Sequence, residues 1–409
     1  MSEALRNVIA RLRAAPQPLG IAVSGGSDSV GLMRAAVAAG LKPQIVTVDH
    51  GLRPESRAEA EGVGEAARLL GLSHDILEWT DWSGQGNLQD AARRARQRLI
   101  GAWAAEREIP VVALGHTQDD QAETVLMRLS RASGVDGLSA MPEWRESYWG
   151  HWWRPMLDCP RQDIRDWLTD SGVSWVDDPS NENERFTRVK MRKAMPLLAE
   201  LGIGADVLAQ VALHQQQARD ALEEITSDLA AQIATVDGGV LELQAEPLWA
   251  APTEISRRLI LAALRWIAPA PYAPRSDAVE GAIANLRDDQ PTTLAGCALR
   301  PRKGTIAIFR EYNAVRDITA TPPALWDGVW QAIPPTGAEP AEIRALGPEG
   351  MRQLPDGRPD TRPYAALIAE PAVWKNDRLI AAPMAGWPCG WQIHREIGAD
   401  DFTQSILSH

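Results

Sequence analysis

The first half of the chain alternates short strand-like runs with longer amphipathic stretches. Runs at Leu19–Val23, Gln44–Val48, His74–Trp79 and Val111–Leu114 predict buried strands. Helical spacing between and after them predicts helices at Ser29–Ala39, Glu55–Leu70, Leu88–Glu108 and Asp119–Ser130. This order implies an α/β fold, a parallel sheet with helices on both faces. Ligands of such sheets bind at the carboxyl ends of the strands. Three of those ends are polar: Ser24-Gly25-Gly26-Ser27-Asp28-Ser29, Asp49-His50-Gly51-Leu52-Arg53 and Gly115-His116-Thr117-Gln118-Asp119-Asp120. Their convergence on one sheet edge is the expected active site.

From about residue 205 the pattern changes. Ala205–Val236 and Glu254–Ile267 have helical patterns, and Thr293–Tyr312 predicts a hairpin turning at Arg302-Lys303-Gly304. Past Thr319 the chain is rich in Pro and Gly, with strand-like pieces around Ala366–Ile368 and Arg378–Ala381. A chain of 409 residues exceeds one typical core. The expected division is a catalytic domain at 1–204, an α+β domain at 205–318 and a small C-terminal domain at 319–409.

Composition narrows the class. The chain is 45% hydrophobic and 23% charged, has no transmembrane run, and Met1–Ala15 with Arg6, Arg11 and Arg13 is no signal peptide. Cys159, Cys297 and Cys389 are far apart, against a zinc ribbon, an iron–sulfur cluster or a disulfide scaffold. A cytoplasmic protein without a membrane partner is expected. The net charge of −12 is a poor guide to nucleic-acid binding, which depends on local patches. Basic runs occur at Arg185, Arg188, Lys190, Arg192 and Lys193, at Arg93, Arg94, Arg96 and Arg98, and at Arg300, Arg302 and Lys303. Each taken singly also suits a solvated helix face or turn. Trp144, Trp149, Trp152, Trp153, Trp167 and Trp175 could stack on unpaired bases, but packing is the weightier reading.

The loop after the first strand is built for phosphate. Gly25 and Gly26 remove the Cβ atoms that would keep a phosphate from the main-chain N–H groups. Ser24, Ser27 and Ser29 add hydroxyl donors, and the following helix dipole favours negative charge. Asp28 would repel a bare phosphate and makes most sense on a bridging Mg²⁺. No Lys follows the glycines, which excludes a Walker A loop, and the Rossmann glycine spacing is also missing. Asp120 and Glu123, three apart at a helix start, share one face. Such acids commonly complement the helix dipole; beside a phosphate loop they also form a plausible ammonium site. His116 is placed as a polar contact to the reacting centre.

The loop resembles the PP-loop of the N-type ATP pyrophosphatases. The resemblance sharpens when the motifs are taken in order: S-G-G-S-D-S, V-D-H-G-L-R at 48–53, G-N-L-Q-D-A-A-R-R-A-R at 86–96, G-H-T-Q-D-D-Q-A-E-T at 115–124, D-P-S-N-E-N at 178–183 and F-T-R-V-K-M-R at 186–192. This set resembles the tRNA(Ile)-lysidine synthetases and spans nearly all of residues 19–200. The resemblance implies that ATP adenylates the 2-carbonyl oxygen of the first anticodon cytidine of a tRNA(Ile) bearing CAU. L-lysine then displaces AMP through its ε-amine, giving lysidine and changing codon reading from AUG to AUA. By the same resemblance, Ser24, Gly25, Gly26, Ser27, Asp28 and Ser29 cradle ATP, with Asp28 on Mg²⁺. Asp120 and Glu123 hold the lysine, with His116 beside them. Arg96, Arg188 and Arg192 match family arginines, although Gln97, Val189 and Met191 replace the family's tyrosine, asparagine and isoleucine. The alternatives are another PP-loop tRNA modification and a tRNA-binding protein that has lost catalysis. The scattered cysteines weigh against thiolases, and the complete loop against loss of catalysis. Oligomeric state is left open.

Overall fold

The computed structural model describes residues 1–51, 54–82, 84, 88–147, 149–176, 187–270, 273–355, 357, 362–395 and 402–407. The chain forms two compact units, Met1–Arg219 and Asp220–Ser408.

The first unit opens with helix α1 (Glu3–Leu12), started by Ser2, whose hydroxyl accepts from the Leu5 N–H. Its Leu5, Val8, Ile9 and Leu12 recur at helical spacing and are buried. Each such side chain stabilises the fold by about 1.5–3 kcal/mol relative to exposure. There follow β1 (Leu19–Ala22), α2 (Ser27–Ala38), β2 (Gln44–Asp49), α3 (Ser56–Leu69), β3 (His74–Glu78), α4 (Leu88–Glu106), β4 (Val111–Leu114) and α5 (Gln118–Leu129). After a short helix α6 (Val135–Leu138), strands β5 (Trp144–Ser147) and β6 (Gly150–Trp153) form a hairpin. The unit continues with α7 (Arg161–Asp170), α8 (Thr187–Glu200) and the start of α9 (Ala205–Ile233).

The sheet runs β3-β2-β1-β4-β6-β5. Its first five strands pair in parallel, and β5 adds an antiparallel edge that the sequence reading missed. Alternation along the strands divides the core. Leu19, Ile21, Ile45, Val111 and Ala113 join a cluster with residues of α1, α2, α3 and α7. Val46, Val112 and Trp152 join Ile100 and Trp103 of α4 in another. The expected α/β sheet with helices on both faces is present, enlarged by the Trp-rich hairpin. Trp152 and Trp153 are buried, and Trp149, Trp167 and Trp175 pack against the two clusters. Trp144, 47% exposed, stacks on Trp153 with ring centres 4.9 Å apart.

The expected catalytic boundary at 204 coincides with the start of α9, while the first unit extends to Arg219. Leu208 and Ala212 of α9 are buried with Ala122 and Val125 of α5.

The second unit contains a five-stranded antiparallel sheet that includes Val240–Gln244, Cys297–Arg302 and Thr305–Arg310. The last two strands form the expected hairpin, with Lys303 and Gly304 at positive φ in its turn. The buried face of Thr253–Ile267 packs against this sheet in one apolar cluster. Further on lie a two-stranded pair, Trp330–Ile333 with Gln392–Arg395, and a three-stranded sheet of Glu342–Ala345, Pro371–Lys375 and Arg378–Ala381. The strand expected at Ala366–Ile368 is instead the end of a short helix, Tyr364–Leu367, begun after Pro363. The Pro363 carbonyl accepts from the Ala366 and Leu367 N–H groups, each at 3.0 Å, which closes the turn. Among the described residues, no single helix is long and apolar enough to cross a membrane.

Candidate active site

The strand–loop–helix junctions of β1 and β4 lie against each other and build the centre. Gly25 turns the chain at φ 89°, a conformation other residues rarely adopt. Its carbonyl accepts from the Val176 N–H at 2.9 Å, which pins the turn. The Ser24 N–H donates to Ser29 Oγ at 3.1 Å, and Ser29 Oγ donates to the Gly26 carbonyl at 3.0 Å. Ser29 therefore ties the loop together. The N-cap of α2 is Gly26, with no side-chain capping bond, and Ser27 donates its hydroxyl to Asp28 Oδ1 at 3.0 Å. Gly115 lies against this turn: a Cβ there would come within 2.9 Å of the Ser29 backbone. Only glycine lets the β4–α5 loop approach this closely.

At the start of α5, Asp120 serves two directions. Its Oδ2 accepts from the Thr117 N–H at 2.9 Å and from Thr117 Oγ1 at 3.0 Å, forming the helix cap. Its Oδ1 lies 3.1 Å from a guanidinium nitrogen of Arg161. Helix capping and a charge in the site are therefore the work of two oxygens of one carboxylate. Neighbouring Asp119 accepts from the Arg161 backbone N–H at 2.8 Å, completing the first turn of α7.

A recess of about 740 Å³ opens at this sheet edge. Its walls include Ser24, Gly26, Ser27, Asp28, Ser29, His50, Arg93, Arg96, His116, Asp120, Arg161, Arg165, Arg188 and Arg192. Residues from all three polar strand ends, and from α4, α7 and α8, thus share one cavity. Glu123 stands behind this wall, 1% exposed. Its carboxylate meets Arg192 Nε at 2.7 Å, Arg161 Nη1 at 3.4 Å and Arg188 Nε at 3.5 Å. Arg188 also donates to Thr124 Oγ1 at 3.3 Å. The D-P-S-N-E-N segment and Arg185 fall outside the described residues, as do Leu52, Arg53, Gly86 and Asn87.

Arg161 is the residue that the sequence reading missed. It follows Cys159-Pro160, far along the chain from the loop, in no recognised motif. Its Nε donates to Asp28 Oδ2 at 2.8 Å, so one side chain contacts Asp28, Asp120 and Glu123. Pro160 before a helix start was the available local signal. His50, within a quoted motif but not taken as a site residue, also lines the cavity.

Electrostatics follow from this packing. Burial raises the Asp28 pKa, with Arg161 opposing. At Asp120 burial also pushes upward, but Arg161, His116 and the Thr117 hydrogen bond outweigh it and the pKa is lowered. The three carboxylates raise the pKa of Arg161 despite its burial. Burial, reinforced by Arg154, Arg96 and Arg188 against the pull of Asp120, lowers His116 to about 3, so this ring is neutral at ordinary pH. Its Nδ1 is buried and has no hydrogen-bond partner among the described residues. Arg96 is open to the cavity, yet desolvation within the recess, then Arg93 and Arg188, lower its pKa.

The donor set suits Mg²⁺ and no all-protein metal cage. Among the described residues, no group of three or more His, Cys, Asp or Glu could hold a metal ion. Mg²⁺ commonly takes one or two carboxylates, with phosphate and water completing its shell. Asp28 lines the cavity beside Ser27 and is the carboxylate carried by the loop itself, although Arg161 holds its Oδ2.

Comparison with known proteins agrees with this architecture. A family model described as a PP-loop domain matches residues 1–198. The chain is 45% identical over 398 residues to a tRNA(Ile)-lysidine synthase of Ruegeria pomeroyi, covering 96% of this chain and 95% of that protein. It is 40% identical over 267 residues to the enzyme of the same name from Rhodopseudomonas palustris, covering 63% and 77%. With that of Wolbachia pipientis it shares 33% over 322 residues, covering 75% and 74%. Similarity along nearly the whole chain, over a phosphate loop and a charged recess built as described, shows that this protein belongs to the tRNA(Ile)-lysidine synthase family.

Proposed function

We propose that the chain carries out its family's reaction, ATP-dependent ligation of L-lysine to tRNA(Ile), at the recess of the first unit. The observation that carries this reading is the meeting of the loop Ser24–Ser29, the acids Asp120 and Glu123, and the arginines Arg96, Arg188 and Arg192 around one cavity. In its finer form, the target is the first anticodon cytidine of the CAU-bearing tRNA, and the cell compartment is the cytoplasm.

The backbone of Gly25 and Gly26, the hydroxyls of Ser24 and Ser27, and the α2 N-terminus bind the triphosphate, with Ser29 holding the loop in shape. Asp28 is the Mg²⁺ ligand, and the metal would neutralise phosphate charge. Arg96, Arg188 and Arg192 place guanidiniums where phosphate charge accumulates as the cytidine 2-oxygen bonds to phosphorus and pyrophosphate leaves. Asp120 Oδ1 and Glu123 bind the ε-ammonium of lysine. After that ammonium gives a proton to water, its nitrogen bonds to the activated cytidine carbon, and the carbon–oxygen bond breaks so that AMP leaves with the electron pair. His116 acts as a neutral polar contact at the reacting centre, in keeping with its depressed pKa.

For the RNA, we assign recognition to residues 205–318 together with the basic run 185–193. Arg300, Arg302 and Lys303, exposed around a hairpin turn, support the first part. Such contacts release counterions, so affinity should fall steeply with salt.

The direct test is incubation with ATP, labelled L-lysine and each CAU-bearing tRNA. Label bound to a nucleoside of tRNA(Ile), and absent from the methionine tRNA, is expected. No nucleoside-bound label on tRNA(Ile) would overturn the reading.

A further inference from the structure

The acids assigned to the lysine ammonium already hold a cation, and that cation belongs to the protein. The Arg161 guanidinium lies 2.8 Å from Asp28, 3.1 Å from Asp120 and 3.4 Å from Glu123, with its side chain 14% exposed. In direct contact, three carboxylates (Asp28, Asp120, Glu123) face three guanidiniums (Arg161, Arg188, Arg192). The set is neutral. Withdrawing Arg161 leaves an excess of one negative charge, which a lysine ammonium would neutralise. Arg161 also lies on the cavity wall, with Glu123 behind it. An amine entering from the recess therefore meets guanidiniums before it meets that acid, and of these Arg161 also contacts Asp28 and Asp120.

A buried guanidinium does not leave three carboxylates for nothing; another anion must take it over. The recess provides a place for one. The α2 N-terminus, capped by Gly26 without a side-chain bond, lies beside Asp28. One turn along α7, Arg165 places its Nε 3.3 Å from Ser27 Oγ, so this helix face already presents a second guanidinium to the loop. A polyphosphate on that loop would offer Arg161 charge-assisted hydrogen bonds in exchange for the carboxylates. Asp28 would be released at the same time.

We propose that Arg161 is an internal stand-in for the lysine ammonium: it fills the amine subsite of the nucleotide-free enzyme and yields it when ATP occupies the loop. Arg161 is thus a positioning residue that orders the two small substrates, ATP before lysine. This rests on Asp120 and Glu123 forming the amine subsite. Because coupling between binding sites is reciprocal, lysine must raise the affinity for ATP by the same factor that ATP raises the affinity for lysine.

The test is calorimetric titration of L-lysine into the full-length protein with and without MgATP, omitting tRNA so that no transfer occurs. MgATP should tighten lysine binding to the wild type at least about 10-fold, within the roughly 5–150-fold range of such couplings. Arg161→Gln should bind lysine without nucleotide about as tightly as the wild type does with MgATP, and coupling should fall below about twofold. Arg161→Lys keeps a cation but loses the fork, so it should retain partial coupling; with the wild-type pair it decides the matter if the Gln variant does not fold. Equal lysine affinity of the wild type with and without MgATP overturns the proposal, as does full coupling in the folded Gln variant or undiminished coupling in the Lys variant. The underlying subsite is tested separately by Glu123→Gln in the MgATP complex. Unchanged lysine affinity there removes the subsite itself, whereas weakened affinity alongside full coupling in Arg161→Gln removes only the stand-in.

Discussion

Each compact unit contains an arginine buried against carboxylates, and the surroundings of the two differ. In the second unit Arg362 pairs with Glu370 and donates to the Met384 carbonyl, while Asp237 lies 3.3 Å from its Nε. Glu370 also accepts from the Gly239 N–H at 3.1 Å. Main-chain groups from two parts of that unit, with the Asp237 side chain, therefore enclose the pair. Arg161 is about as buried, yet its guanidinium meets side-chain carboxylates on the wall of a large recess. Similar ion-pair chemistry acts as a strut where backbone encloses it and as an exchangeable contact where a cavity adjoins it. The titration behaviour differs as well. Burial raises Glu370 to about 7 although Arg362 opposes it, whereas Asp120 is lowered despite its burial.

The strut should be the more costly to break. Arg362→Ala leaves Glu370 buried without its cation and should destabilise the fold by about 3–5 kcal/mol, read from urea unfolding. Lysine and ATP dependence of the folded fraction should be unchanged; an altered lysine dependence would blur the contrast. Asp28→Ala should leave stability near that of the wild type while lowering pyrophosphate release about 10²–10³-fold, the scale of removing one preorganised electrostatic group. Near-normal release from a folded variant would remove Asp28 from the metal role.

The smallest effect is in pH. The Glu370 pKa is raised from 4.5 to about 7, so the folded state binds the extra proton in that window. Its stabilising contribution is present below pH 4.5 and is lost as pH rises through 7. His116 is reversed, lowered from 6.5 to about 3, so its contribution is present above pH 6.5 and is lost as pH falls through 3. Each slope is at most about 1.4 kcal/mol per pH unit, and the two oppose each other where the windows overlap. Glu370→Gln should therefore expose a stability that rises with pH, and His116→Gln one that falls. Urea midpoints between pH 4.5 and 6.5 check both, and parallel profiles in the two variants would contradict the assignment.

Local pattern made much of the fold legible. The four strands predicted in the first half form within a residue of their expected limits, because apolar runs bounded by turn residues have few other places to go. The Ser24–Ser29 turn and the Asp120 cap were readable because each is completed within a few residues of sequence. The β5–β6 hairpin was not, since Trp-rich residues on both sides of the turn obscure the period-2 signal. Helix α1 was missed although Leu5, Val8, Ile9 and Leu12 carry its period, because Arg6 and Arg11 break the stripe into short apolar pieces. Arg161 is a different case. Its meaning depends on α7 packing beside α2, a contact between segments 133 residues apart in its bond to Asp28, and no local pattern encodes it. Turns and caps are properties of short segments, whereas a charge cluster spanning several helices is a property of the packed unit.

The central claim is that the recess has a phosphate side and an amine side with separate duties. It is tested most directly in one single-turnover reaction of Glu123→Gln with ATP, tRNA(Ile) and labelled L-lysine, following pyrophosphate release and lysine transfer together. Loss of one charge-assisted contact is worth roughly 1.5–3 kcal/mol, so lysine transfer at subsaturating lysine should fall about one to two decades. Pyrophosphate release should stay near the wild-type amount. If both fall together, or neither falls, the two sides are not separate and the account fails.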